Sequence, residues 1–250
     1  MSKRILITGA GSGIGEGVAK LLAVAGHQVI ATDVRIEPVQ NWLQESGATN
    51  ITAAAMDVTD EAAVLDVVKN FGPIDVLINN AGIQHVAKLE DFPQERWSLL
   101  VDIMLNGVAR TTRAVLPGMR ERGFGRIVNI GSIHSLVASP FKSAYVAAKH
   151  GLVGFSKVVA LETADTDITI NTVCPTYVQT PLVQNQIAAT AKQYQMSEAD
   201  VVSEIMLKPM PKGVFISLEE LAGIAQFLIS DIARNITGQT IVVDGGWTAR

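Results

Sequence analysis

The sequence predicts an α/β fold: a doubly wound parallel sheet of about seven strands in the order 3-2-1-4-5-6-7, with helices on both faces, in a single domain. Three observations predict it. Short apolar runs rich in β-branched residues recur along the chain, segments of helical period lie between them, and a cluster of glycines stands where the first strand gives way to the first helix. Parallel neighbours need long crossovers, and right-handed crossovers put helices on both sides of the sheet. A chain of 250 residues with 48% hydrophobic content can close such a core undivided.

The elements follow in order. After a first strand at 4–8, the residues Ile14, Val18, Leu21, Leu22 and Ala25 fall on one face of a helix. A second strand, 28–32, leads to Asp33, and a third, 51–55, leads to Asp57 and Val58. The fourth, 74–78, runs into Asn79-Asn80-Ala81-Gly82. A long helix anchored on Trp97 and on 113–119 precedes the fifth strand, 126–130, with Ser132 just beyond it. A helix over 143–160 leads to the sixth strand, 168–173, and then to Pro175. The one long departure from the alternation is 181–217, polar and Met-containing, and such an insert beside a ligand crevice is a candidate lid. A helix over 218–229 and a strand at 240–243 complete the domain, and no linker, repeat or low-complexity tract divides residues 1–250.

Composition narrows the function. Net charge is only -4 and Lys and Arg do not cluster, so the footprint expected for nucleic acid or an anionic membrane is missing. The apolar stretch at 5–7 is too short for a signal peptide or anchor. The single cysteine, Cys174, allows no internal disulfide and suits the cytoplasm. Four scattered histidines and one thiol have no metal-ligand spacing, so no metal is expected. A small molecule is the expected partner.

Thr8-Gly9-Ala10-Gly11-Ser12-Gly13-Ile14-Gly15 sits between strand and helix, where a pyrophosphate can lie against exposed backbone N–H groups and the positive end of the helix dipole. Glycines also make plain turns, but this context favours a dinucleotide loop in which Gly9, Gly13 and Gly15 give clearance and Ser12 and Ile14 line the approach. Asp33 stands at the distance where an acid hydrogen-bonds the adenosine ribose. Its charge would repel a phosphate there, which favours NAD over NADP, with Arg35 the nearby argument to the contrary. The other reading of Asp33 is a turn former at a strand end. Asp57 and Val58 are placed at the adenine.

Tyr145 and Lys149 lie four apart in a helical stretch and so share a face. Spacing alone makes them an ordinary surface pair. Beside a dinucleotide loop, a neighbouring ammonium and a positive nicotinamide both favour the phenolate. Tyr145 then becomes the proton carrier, and Ser132 hydrogen-bonds the substrate oxygen.

With these motifs in place, the sequence resembles the short-chain dehydrogenases/reductases along essentially its whole length. The resemblance is carried by Thr8-Gly9-x-x-x-Gly13-x-Gly15, Asn79-Asn80-Ala81-Gly82, Ser132 and Tyr145-x-x-x-Lys149. It implies a Rossmann-type fold, a homotetramer touching near 104–122 and 143–161, and the catalytic set Ser132, Tyr145 and Lys149. It also implies that Asn80, Ala81 and Gly82 steady the cofactor, that Lys149 holds the nicotinamide ribose, that Pro175 and Val178 bind the cofactor, and that Thr180 meets its carboxamide. Two departures stand out. Pro175-Thr176 replaces the usual Pro-Gly, and Met104 occupies the place of a relay asparagine, where a water on a helix carbonyl is the expected substitute.

Within the family the likeness is to bacterial D-3-hydroxybutyrate dehydrogenases, through residues 82–86, 132–134, Lys142, 145–151 and 180–187. It implies that Gln84, His134, Lys142 and Gln186 hold the substrate carboxylate, and a buried carboxylate does need a cation and several donors. Tyr177 and Trp247 are expected to wall the pocket and restrict chain length. Each of these residues alone has a bland surface or loop reading; their joint appearance with the catalytic set carries the expectation. The expected reaction interconverts D-3-hydroxybutyrate, or a similar small 3-hydroxy acid, with acetoacetate. The rivals are a 3-oxoacyl thioester reductase of the same family and a non-catalytic dinucleotide sensor.

Overall fold

Every residue of β1 (Arg4–Thr8) from Ile5 onward is buried, because both faces of this strand are covered. Ile5 and Ile7 enter one core and Leu6 the other, as the two-residue period of a strand requires. In the computed structural model, which describes residues 2–249, β1 is the centre of seven parallel strands ordered β3-β2-β1-β4-β5-β6-β7. The others are β2 (Gln28–Asp33), β3 (Ile51–Ala55), β4 (Val76–Asn79), β5 (Phe124–Ile130), β6 (Asp167–Pro175) and β7 (Thr240–Val243). The chain turns back at β1, so β1 and β4 are neighbours and their carboxyl ends diverge into a crevice.

The helices form two layers. On one side α1 (Gly13–Val24), α2 (Ile36–Ser46) and α9 (Leu218–Leu228) pack through Val18, Leu22, Trp42, Leu221 and Ala225. On the other, α3 (Glu61–Phe71), α5 (Gly107–Arg122) and α6 (Ser143–Glu162) pack through Val64, Val67, Val115, Met119 and Val159. Burying each such aliphatic side chain contributes about 1.5–3 kcal/mol. A smaller cluster of Leu100, Met104, Ala144 and Ala148 fixes α4 (Gln94–Val101) against the start of α6. Between α4 and α5 the helix widens by one π-helical turn, Asp102–Asn106, closed by the Gly107 N–H donating to the Asp102 carbonyl. That wide turn aims Met104 inward.

The 181–217 insert is largely helical. Thr180 caps α7 (Pro181–Tyr194), accepting from the Val183 N–H at 3.4 Å, with Pro181 in the first turn. A single turn, α8 (Glu198–Asp200), runs into a second wide turn at Val201–Met206. Ile187, Val201 and Met206 make a small core of their own, and Tyr177 packs against it. No described helix is long and apolar enough to cross a membrane.

Candidate active site

A cavity of about 610 Å³ opens along the carboxyl ends of the strands, running from Asp33 to Tyr145. At its floor the glycine loop folds under tight steric limits. Gly13 takes a left-handed φ of 60° facing the cavity, and a Cβ on Gly15 would press into the Gly9 carbonyl oxygen. Asn80 binds the loop from the other side, its Nδ2 donating to the Thr8 and Gly9 carbonyls at 3.0 and 2.8 Å. The backbone N–H groups of Asn80 and Ala81 both donate to Thr8 Oγ1 at 3.0 Å, which locks β1 to the end of β4.

Asp33 closes the far end. Its Oδ2 accepts from the Gly11 N–H at 2.9 Å and its Oδ1 from the Arg35 N–H at 3.2 Å, so the carboxylate shapes the loop as well as facing the cavity. Asp57 Oδ1 accepts from the Thr59 N–H at 2.8 Å, and Asp57 and Val58 line the same end.

At the other end Ser132 begins a short turn, Ile133–Ser135, that holds its side chain in place. Ser132 Oγ accepts from the His134 N–H at 3.2 Å, while Ser135 Oγ accepts from the Ser132 N–H at 3.2 Å. Burial pushes the pKa of the Tyr145 phenol up, outweighing the nearby Ser132 hydroxyl, which favours the anion. Lys149, one turn along α6, donates to the Ile130 carbonyl at 2.6 Å, and its ammonium lies 5.8 Å from the Tyr145 ring centroid. The ammonium thus stands over the ring, and its burial lowers its own pKa to about 8. Burial thus disfavours the charged form of both members of this pair.

Around this pair lie the expected carboxylate ligands. Gln84, His134, Lys142 and Gln186 all line the cavity. Burial and the Lys142 charge lower the pKa of His134 to about 4, so its imidazole is neutral, with Nε2 2.8 Å from Ser139 Oγ. Burial also lowers the pKa of Lys142. Pro175, Tyr177, Val178 and Thr180 close the wall between the two ends.

Two of the expected residues stand off the cavity wall. Gly15 lies beneath the loop, where its role is to let the loop pack. Trp247 stacks behind Tyr177, ring centroids 6.4 Å apart, so it supports that wall without forming it. Met104 does line the cavity and is 1% exposed, while Asn106 turns outward to Asp102 at 3.1 Å. Three contributors escaped sequence reasoning. The Ile130 carbonyl that holds Lys149 is backbone and has no sequence signature. Ser139 touches His134 through a loop with no periodicity. A buried ladder ties the sheet beneath the site: Thr111 donates to Asn79 at 2.7 Å, Asn79 to Asn129 at 2.8 Å and Asn129 to Ser156 at 2.9 Å. Of this ladder, only Asn79 stood in a recognisable motif.

Comparison with known proteins bears on the same site. A family model described as short chain dehydrogenase matches residues 3–191. The chain is 43% identical to "D-beta-hydroxybutyrate dehydrogenase" of Rhizobium meliloti (strain 1021), covering 100% of both. It is 44% identical to the protein of the same name from Cupriavidus necator, over 99% of this chain and 98% of that one. Among solved structures it is similar to a variant of actinorhodin polyketide ketoreductase with NADPH. That match has a TM-score of 0.91 at 35% identity, over 100% of this chain and 98% of the other.

Proposed function

The chain belongs to the short-chain dehydrogenase family of oxidoreductases, and within it we propose an NAD-dependent dehydrogenase that interconverts D-3-hydroxybutyrate, or a similar small 3-hydroxy acid, and acetoacetate. The observation that carries this reading is the pairing, at one end of a single cavity, of the Ser132–Tyr145–Lys149 set with a Lys142 ammonium and the donors Gln84, His134 and Gln186. The two similar proteins named for hydroxybutyrate support it.

The residues present fit a nicotinamide dinucleotide: Gly13 presents bare backbone to the cavity, and Asp33 and Lys149 stand at its opposite ends. When bound, that group supplies the hydride acceptor and donor, and its positive ring favours the Tyr145 phenolate. Asp33 supports NAD over its phosphorylated form, since its carboxylate would face a 2′-phosphate with only Arg35 nearby to offset it.

The chain's own residues then do the following. Lys142 pairs with the substrate carboxylate while Gln84, Gln186 and neutral His134 hydrogen-bond it, so that one face of C3 meets the cofactor. Ser132 hydrogen-bonds the C3 oxygen. Tyr145 takes the hydroxyl proton in oxidation and returns it in reduction. Lys149, fixed on the Ile130 carbonyl, holds its ammonium beside the Tyr145 ring. Closure of 181–217, carrying Gln186, excludes water in this reading. A homotetramer is part of the same proposal, supported by Val158 and Leu161, 54% and 79% exposed on α6. So is a cytoplasmic setting, which suits one buried thiol, Cys174.

A second reading, a 3-oxoacyl thioester reductase, draws support from the similar ketoreductase structure with NADPH. Initial rates with acetoacetate and with an acetoacetyl thioester, each with NADH and NADPH, separate the two. The first reading expects acetoacetate with NADH to win by about tenfold or more in kcat/KM; preference for the thioester with NADPH overturns it.

A further inference from the structure

Among the described residues two that are not glycine adopt a left-handed backbone, Phe141 with φ 70° and Gln195 with φ 52°. Gln195 directly follows α7, where such a residue is an ordinary helix ending. Phe141 instead follows Pro140 in a turn, at a position where Gly or Asn ordinarily supplies the positive φ. It stands two residues ahead of α6, and at 49% exposed its ring is not held there by burial. A bulky side chain in this region persists only where its surroundings fix the backbone.

A contact between two loops falls at this turn. The Ala87 N–H donates to the Phe141 carbonyl at 3.0 Å. Ala87 lies three residues beyond Gln84, on the loop after β4. Lys142 follows Phe141 directly, and its carbonyl starts α6 by accepting from the Val146 N–H at 2.8 Å. Two residues before Phe141, Ser139 holds His134.

We propose that Phe141 is a positioning residue whose left-handed turn clips the loop carrying Gln84 to the loop carrying Lys142, so that the carboxylate ligands are held as one unit. The clip rests on the reading of this end of the cavity as a carboxylate site.

The test compares Phe141→Val, whose β-branched side chain resists a left-handed φ, with Phe141→Asn, which tolerates it. Phe141→Val raises KM for acetoacetate about tenfold or more, leaves KM for methyl acetoacetate and the Kd for NADH within about twofold, and speeds exchange of the Ala87 N–H about tenfold. Phe141→Asn restores all three. Should Phe141→Val not fold, Phe141→Ala is read in the same way. Wild-type KM and wild-type Ala87 protection in both variants overturn the clip, and so does equal damage in both, which would make the ring and not the backbone responsible. If the wild-type protein does not turn over acetoacetate, the functional reading falls, and Ala87 exchange still decides the clip.

Discussion

Replacing Lys142 by Met removes one charge and keeps most of the side chain's volume, which makes it a direct probe of the carboxylate site. Burial holds the pKa of Lys142 below that of a free lysine, so its ammonium is partly stripped of water. The neighbouring His134 is neutral, with its pKa at about 4, and cannot replace the lost charge. A hydrogen bond to a charged partner contributes about 1.5–3 kcal/mol, and each ~1.4 kcal/mol is tenfold in affinity. Lys142→Met should therefore raise KM for acetoacetate about 10- to 150-fold, while kcat at saturation falls less because the charge lies away from the reacting carbon. Methyl acetoacetate, which lacks the charge, should change by less than about threefold. The assay is the initial rate of NADH loss by absorbance, for acid and ester side by side. Equal changes for both, or none for the acid, would refute the assignment. The lowered pKa adds a pH signature: in the wild type, KM for acetoacetate should begin to climb at a lower pH than the titration of a free lysine requires.

Three further outcomes are expected. Asp33→Asn keeps the acceptors for the Gly11 and Arg35 N–H groups but removes the charge; the ratio of kcat/KM for NAD over NADP should drop about tenfold or more, and an unchanged ratio would count against Asp33 as the selector. His134 has a folded pKa of about 4 against an ordinary 6.5, so between those values the unfolded chain binds more protons and stability falls as pH falls. His134→Gln should flatten that part of a urea-midpoint against pH curve, and an identical curve would show that His134 is not the group responsible. Met104→Asn buries an amide in the Leu100–Ala144–Ala148 cluster and should cost about 1–3 kcal/mol of stability, read by thermal melting. If it leaves both rate and pH profile unaltered, a water-based relay in place of the asparagine has no support.

The sheet was legible because burial on both faces leaves a plain trace in the sequence. Strand 4–8 is an unbroken β-rich run, and its bounds matched to the residue; those of the half-exposed edge strand 240–243 matched as well, on β-rich composition alone. The turns at Gly13 and Gly15 were legible because sterics admit almost nothing else there. The insert at 181–217 looked merely polar because α7 lies largely at the surface, with Ile187 the one buried residue among its described side chains. Its helix start was written in Thr180-Pro181, a signal weaker than periodicity. The wide turn at Asp102–Asn106 has no residue signature at all. The chemistry of Tyr145 was only half legible: spacing put Lys149 on the same face, but desolvation, which raises the phenol's pKa, depends on packing that spacing does not encode.

The most direct measurement is single-turnover reduction of acetoacetate by Tyr145→Phe, with NADH binding followed separately by fluorescence. With Tyr145 as the proton carrier, the hydride step should slow by about 10²- to 10⁴-fold while the Kd for NADH stays within about twofold. A variant that binds NADH normally and reduces acetoacetate at the wild-type rate would contradict the account.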